Sequence, residues 1–328
     1  MKFIKKTDRI FIAGHNGMVG KSIKRTLENK GFKNLLTVSK DSLNLMHSEN
    51  VSNWFQINRP EVVIIAAARV GGIEANYKFP YDFILDNLKI QTNIIENAWE
   101  NNAKKLLFLG SSCIYPKFSE QPIKEESLLT GPLEKTNEFY AIAKIAGLKL
   151  CSALRKQHNF DAITLMPTNL YGPGDNYNQN NSHVLPAFIN RFYNAKIKGE
   201  KYVTCWGSGN PKREFLHVDD LASASIFILE NFSFIKNTFN QDNLPEFLNV
   251  GTGKDISIKD LAYLVANKIG YKGEIFWDPS KPDGTPRKLL DISRISDLGW
   301  KPLISLEDGI EETIKSYKKD LKMKKLRN

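Results

Sequence analysis

An apolar run, Arg9-Ile10-Phe11-Ile12-Ala13, passes straight into Gly14-His15-Asn16-Gly17-Met18-Val19-Gly20 and then into a helical stretch from Met18 to Lys30. Few folds tolerate that order. One glycine makes the tight turn from strand to helix, one lets the backbone approach a pyrophosphate, and one lets helix and strand pack closely. The helix start then offers unpaired N–H groups and the positive end of its dipole to an anion. The pattern predicts a dinucleotide-binding βα unit at the head of the chain.

The rest of the first half repeats the alternation. Strands are expected at Leu35–Val38, Val62–Ala66, Lys105–Leu109 and Ala162–Met166, with helices at Phe83–Asn101 and Glu138–Lys156. Short, continuously apolar strands between helices predict a parallel sheet covered on both faces, a doubly wound α/β Rossmann fold. Past Gly172 the rhythm stops. Tyr171 to Ser182 is rich in Gly, Asn, Asp and Pro and reads as a long loop of the kind that carries function. A helix near Leu185–Asn194, a strand at Tyr202–Trp206 and mixed short elements follow. The expected division is a cofactor domain over 1–172 plus about 215–250, and a smaller α/β substrate lobe over about 173–214 and 251–328.

Composition closes off other classes. Apolar residues are 41% of the 328 and charged residues 25%, which suits a soluble globular chain. Nowhere do about 18 apolar residues run together, so no membrane span is expected. Met1-Lys2-Phe3-Ile4-Lys5-Lys6 has no signal-peptide character, which predicts a cytoplasmic protein. Cys113, Cys151 and Cys205 are odd in number and widely spaced, so neither a disulfide framework nor a metal site is expected. The net charge of +10 is scattered and not interleaved with aromatics, which argues against nucleic acid and is compatible with an anionic diphosphate substrate. The densest basic run, Lys318 to Arg327, reads as a solvated helix face or tail.

Polar groups at the carboxyl end of a parallel strand are where such sheets do chemistry. The fourth strand ends in Leu109-Gly110-Ser111-Ser112-Cys113, and Tyr140-Ala141-Ile142-Ala143-Lys144 follows on a helix. Spacing of four places Tyr140 and Lys144 on one face. An ammonium beside a phenol is expected to lower the phenol's pKa and fit it for general acid–base work. For the cofactor, Lys40 after the second strand suits a 2′-phosphate and favours NADP(H), while adjacent Asp41 leaves NAD open.

These segments resemble the extended short-chain dehydrogenase/reductases and, within them, the GDP-L-fucose synthase family over essentially the whole chain. The resemblance lies in Gly14–Gly20, Ala66–Asn76, Gly110–Lys117, Tyr140–Gly147, Met166–Gly172, Asn181–Ala187, Trp206–Asp220 and Pro282–Asp291. It implies C3/C5 epimerisation of GDP-4-keto-6-deoxy-mannose followed by NADPH-dependent reduction at C4. By the same resemblance Tyr140 donates a proton to the C4 oxygen, Lys144 holds the nicotinamide ribose, and Ser111 hydrogen-bonds the C4 carbonyl. Cys113 is the epimerisation base and His183 the opposing acid. The cofactor is expected against Gly14, His15, Asn16, Gly17, Met18, Val19, Gly20, Lys40, Leu109, Gly110, Ser111, Ser112, Pro167, Thr168, Asn169, Leu170 and His183, besides Tyr140 and Lys144. Arg191, Trp206, Arg213 and Asp283 are the implied GDP-sugar contacts, and a homodimer through the two long helices is implied as well. Asn16 departs from the family's arginine, which predicts a weaker preference for NADP. Two other readings stay open: reduction of a related GDP-4-keto-heptose, with or without epimerisation, and a non-catalytic NADP-binding regulator.

Overall fold

The computed structural model describes residues 2–178, 182–235, 246–281 and 283–327. Asn181 and Pro282, which belong to two of the resembling segments, and 236–245 of the expected cofactor domain lie outside them.

Six parallel strands form the central sheet in the order β2-β1-β3-β4-β5-β9. These are β1 (Ile10–Ala13), β2 (Leu35–Leu36), β3 (Val62–Ile65), β4 (Lys105–Leu109), β5 (Ala162–Pro167) and β9 (Leu248–Val250). The residues of β1, β3, β4 and β5 are buried throughout, as the unbroken apolar runs require. The chain leaves β1 for β2 on one side and returns to β3 on the other, so a crevice opens above β1 and β3 where the order reverses. α1 (Met18–Asn29) follows β1, and α2 (Ser48–Asn58) precedes β3.

α3 (Ile73–Lys78) leads into α4 (Pro80–Glu100), which lies against α5 (Glu138–His158). α4 begins three residues earlier than the periodicity suggests, because Pro80 supplies a preorganised first turn. Gly147 lets α5 sit down on β4, since a Cβ there would meet the ring of Phe108 at 2.6 Å. Gln91 of α4 donates to the Ala143 carbonyl at 2.6 Å and pins the two helices. The second strand is two residues long, not four.

The remaining elements are β6 (Asn169–Tyr171), α6 (Val184–Lys198), β7 (Tyr202–Trp206), β8 (Lys212–His217), α7 (Val218–Asn231), β10 (Asp255–Ser257), α8 (Ile258–Ile269), β11 (Glu274–Asp278), β12 (Arg287–Lys288), α9 (Ser293–Asp297) and α10 (Leu306–Lys322). β8 pairs with β6, β10 and β12, and β7 pairs with β11. A second apolar core gathers α6, α8 and α10 around Phe192, Leu261, Val265 and Ile314. Ile295 and Trp300, from a stretch expected in the substrate lobe, pack instead with the sheet core beside Leu221 and Leu248. Among the described residues no helix is long and apolar enough to cross a membrane.

Candidate active site

The turn after β1 has the geometry that its glycines were expected to permit. Gly14 holds φ at +87°, and a Cβ on it would lie 2.6 Å from the amide nitrogen of Ala67. A Cβ on Gly20 would overlap the Gly14 carbonyl oxygen. Gly17 caps α1 with no side-chain partner, and the first turn of α1 has no acidic residue. The first N–H groups therefore face the crevice as a ready anion cradle, and the loop fits a dinucleotide pyrophosphate. His15, Asn16, Met18 and Val19 follow that turn, and Lys40 is exposed in the turn beyond β2.

Across the crevice, Thr168 donates its amide to Val250 at 3.0 Å, and Leu170 packs on the sheet core. Pro167 ends β5, and Asn169 opens β6. Gly110 is needed where β4 passes β5, because a Cβ there would strike the Met166 sulfur.

β4 delivers Leu109, Gly110 and Ser111 to the sheet's carboxyl edge. Ser111 then caps a single 3-10 turn, Ser112–Ile114, its Oγ accepting from the Cys113 amide at 3.4 Å. That turn swings Cys113 back beside Ser111. α5 brings Tyr140 and Lys144 to the same place. Ser111 is near enough to the Tyr140 phenol to favour its ionised form, and Cys113 would act on both α5 residues on losing its proton. Phe83 meets the Tyr140 ring edge-on with centroids 6.3 Å apart.

Lys144 is buried, with Nζ donating to the Leu109 carbonyl at 2.9 Å and lying 5.7 Å from the Tyr140 ring centroid. Burial lowers its ammonium to about 8. The expected depression of the phenol by this ammonium is not what the protein shows. Burial, and next the Cys113 charge, push Tyr140 well above its ordinary value, and only Ser111 pulls down. The phenol keeps its proton because protein crowds it, though it is partly open to solvent, and the ammonium is turned toward a backbone carbonyl.

Burial also pushes the Cys113 thiol up, opposed by Lys288, Ser111, Lys144 and the thiol's own amide. His183 precedes α6, its side chain still open to water although protein surrounds it, as on the wall of a deep cleft. Its imidazole is pushed down, first by burial and then by Lys288. The site thus drives the two groups apart, the thiol upward and the imidazole downward.

Lys288 is the residue that sequence reading missed. Its charge acts on Cys113, His183, Arg213 and Glu134. A two-residue strand leaves no periodic signal, and only the register pairing Lys288 with Arg213 places it. Glu134, also missed, is held by Lys117 at 2.8 Å, and its charge acts on both Arg213 and Lys288.

The implied substrate contacts form two neighbouring groups. Arg191 and the exposed Trp206 line one cavity of about 300 Å³ with Asn190 and Lys198. Arg213 lies in the field of Asp283. The Asp283 carboxylate accepts from the amide and hydroxyl of Ser208, both at 2.8 Å, and so fixes the turn that follows Trp206.

Residues 10–251 match a family model described as the NAD dependent epimerase/dehydratase family. The chain is 52% identical to GDP-L-fucose synthase 1 of Arabidopsis thaliana, over 96% of this chain and 95% of that one. It is 52% identical to GDP-L-fucose synthase of Escherichia coli K12, over 93% and 95%. Among solved structures it superimposes on MlghC, a GDP-mannoheptose C4 reductase from Campylobacter jejuni with NADP bound. That match has a TM-score of 0.87 and 37% identity, and covers 96% of this chain and 99% of that one.

Proposed function

The chain belongs to the NAD dependent epimerase/dehydratase family, and on that footing we propose that it converts GDP-4-keto-6-deoxy-mannose to GDP-L-fucose. C3 and C5 are epimerised and C4 is reduced with NADPH. The observation that carries this reading is the convergence of Ser111, Cys113, Tyr140 and Lys144 at the end of β4, with the charge of Lys288 acting on both Cys113 and His183. Full-length relatives at 52% identity bear the fucose synthase name, and a 37% identical neighbour holds NADP.

The Gly14–Gly20 turn and the start of α1 would hold the pyrophosphate, Lys40 the 2′-phosphate, Lys144 the nicotinamide ribose, and Thr168, Asn169 and Leu170 the ring. NADPH supplies the hydride when bound. Everything else falls to side chains. Ser111 and Tyr140 donate hydrogen bonds to the C4 oxygen, which acidifies the protons at C3 and C5 and stabilises the enolate. The Cys113 thiolate removes a proton from one face of the sugar, and protonated His183 returns one to the other face, inverting the centre. As C4 is reduced, Tyr140 gives its proton to the C4 oxygen. A phenol that stays protonated through neutral pH suits that direction of reaction. Arg213 and Lys288 balance the diphosphate charge, arginine by its bidentate fork.

The same reading includes a nucleotide-sugar lobe built on the α6–α8–α10 core, and a homodimer through α4 and α5, whose exposed Tyr81, Phe139 and Ile142 support an apolar face. A cytoplasmic setting suits three free, buried cysteines. Sedimentation velocity tests the dimer. Conversion of the keto-sugar with NADPH, with the product identified by NMR, tests the function. The heptose-reductase neighbour favours one second reading, C4 reduction of a GDP-4-keto-heptose. Comparing kcat/KM for the two sugars separates them.

A further inference from the structure

Four segments meet at one buried glutamate, two of them on its carboxylate and one on its main-chain carbonyl. Glu214 of β8 is completely buried. Its Oε1 accepts the amides of Thr252 at 2.6 Å and Gly253 at 2.7 Å, just past β9. Its Oε2 accepts the amide of Leu290 at 3.0 Å, just past β12. Its main-chain carbonyl accepts Asn169 Nδ2 at 2.8 Å and the Thr168 hydroxyl at 3.2 Å. Gly251 is glycine because a Cβ there would overlap the carboxylate.

The strand that bears Lys288 is gripped from its other side by Gln121. Gln121 Oε1 accepts the Leu289 amide at 2.8 Å, and its Nε2 donates to the Arg287 carbonyl at 3.2 Å. Ile123 adds a bridge, donating to the Leu289 carbonyl at 2.7 Å and accepting from Asp291 at 2.9 Å. A two-residue strand next to exposed neighbours has little stability of its own. Here the peptides on both sides of Lys288 are tied down.

We propose that Glu214 and Gln121 are positioning residues, which fix the backbone on either side of Lys288, set the place from which its ammonium acts on Cys113 and His183, and tie that strand to the cofactor-side residues Thr168 and Asn169. The proposal deepens the function given above and rests on it for its catalytic meaning. An ammonium acts on a neighbouring thiol in inverse proportion to distance, so an outward drift of a few ångströms changes thiolate population on the order of tenfold. The charged and titratable groups around Cys113 are Lys144 and Tyr140 from α5 and Lys288 from β12, with the charge of Lys288 acting in turn on Arg213, Glu134 and His183.

The test reads the thiol directly. Cys113 alkylation by iodoacetamide is followed against pH by peptide mass spectrometry in the wild type, Glu214→Gln and Gln121→Ala, beside NADPH binding by fluorescence. Both variants are expected to move the alkylation midpoint upward by about one pH unit, with NADPH affinity within about twofold of wild type. Gln121 is only half-buried, so its variant decides the matter if Glu214→Gln does not fold. An unchanged midpoint in Gln121→Ala overturns the proposal. A wild type that exchanges no deuterium into C3 or C5 of the keto-sugar overturns the reaction instead, and leaves the alkylation result to judge the positioning on its own.

Discussion

The Lys144 ammonium donates to the carbonyl of Leu109 at 2.9 Å, on the last residue of β4 before the Gly110-Ser111 edge. The bond binds α5 to the strand that carries Ser111 and Cys113, and it explains why the tyrosine and lysine act as one unit with that edge. It also keeps a cation in a dry place, with its pKa lowered to about 8.

A pH signature follows. Below about 8 the charged lysine is buried at a cost; between about 8 and the ordinary 10.5 the folded protein sheds this proton before the unfolded chain does. Folding stability contributed by this residue therefore rises with pH across that window. Lys144→Met, compared with wild type by urea unfolding, is expected to be relatively most stable at pH 7 and to lose that advantage by pH 10.5. Reduction in the wild type is expected to decline above about pH 8. A constant difference between the two proteins across the window contradicts the assignment.

Tyr140→Phe removes the proton donor and leaves the Cys113–His183 pair in place. Its expected effect is a drop of roughly 10²–10⁴-fold in kcat for C4 reduction, with deuterium exchange at C3 and C5 changed far less. Stopped-flow oxidation of NADPH and mass spectrometry of the recovered sugar read the two halves. Exchange is spared because Ser111 still donates to the C4 oxygen; equal loss of both would show that Ser111 alone does not sustain enolisation.

Inversion needs the Cys113 thiolate and the His183 imidazolium at once. Cys113 is held above its ordinary 9.0 and His183 below its ordinary 6.5. Between those values each gain in thiolate is matched by a loss of imidazolium. The epimerisation rate should thus be flat across the whole span from 6.5 to 9.0 and fall only outside it, below the lowered imidazole and above the raised thiol. Lys288 lowers both groups, so Lys288→Met should shift the whole window to higher pH. A simple alkaline rise in the initial-rate profile would show that His183 is not the acid.

Gly20→Ala tests the cradle. The new Cβ would collide with the main-chain carbonyl of Gly14, a backbone atom that cannot rotate away. NADPH affinity is expected to fall at least tenfold in a fluorescence titration. Gly31→Ala, at φ +82° but with nothing nearby for a Cβ to meet, should strain its turn and spare the cofactor.

The glycine turn, the buried strands of the first half and the Tyr140–Lys144 pair were legible because each follows from local rules of period, turn geometry and spacing. α2, α7, α8 and α10 were not, since their apolar faces match cores assembled from distant segments. Trp300 illustrates this: its indole donates to Ser223 at 3.2 Å, 77 residues back, and it packs on the first core. Lys288 and Glu214 were invisible for the same reason. Nothing near Glu214 in sequence announces that three amides from two other segments will converge on it. The sign of the Tyr140 shift was also out of reach, because it depends on where the ammonium points and how closely protein crowds the phenol.

The most direct measurement is the reaction itself in deuterated water, with GDP-4-keto-6-deoxy-mannose and NADPH and NMR of the product. The account predicts GDP-L-fucose carrying deuterium at both C3 and C5. A C4-reduced sugar with hydrogen still at both carbons and the original configuration would contradict it.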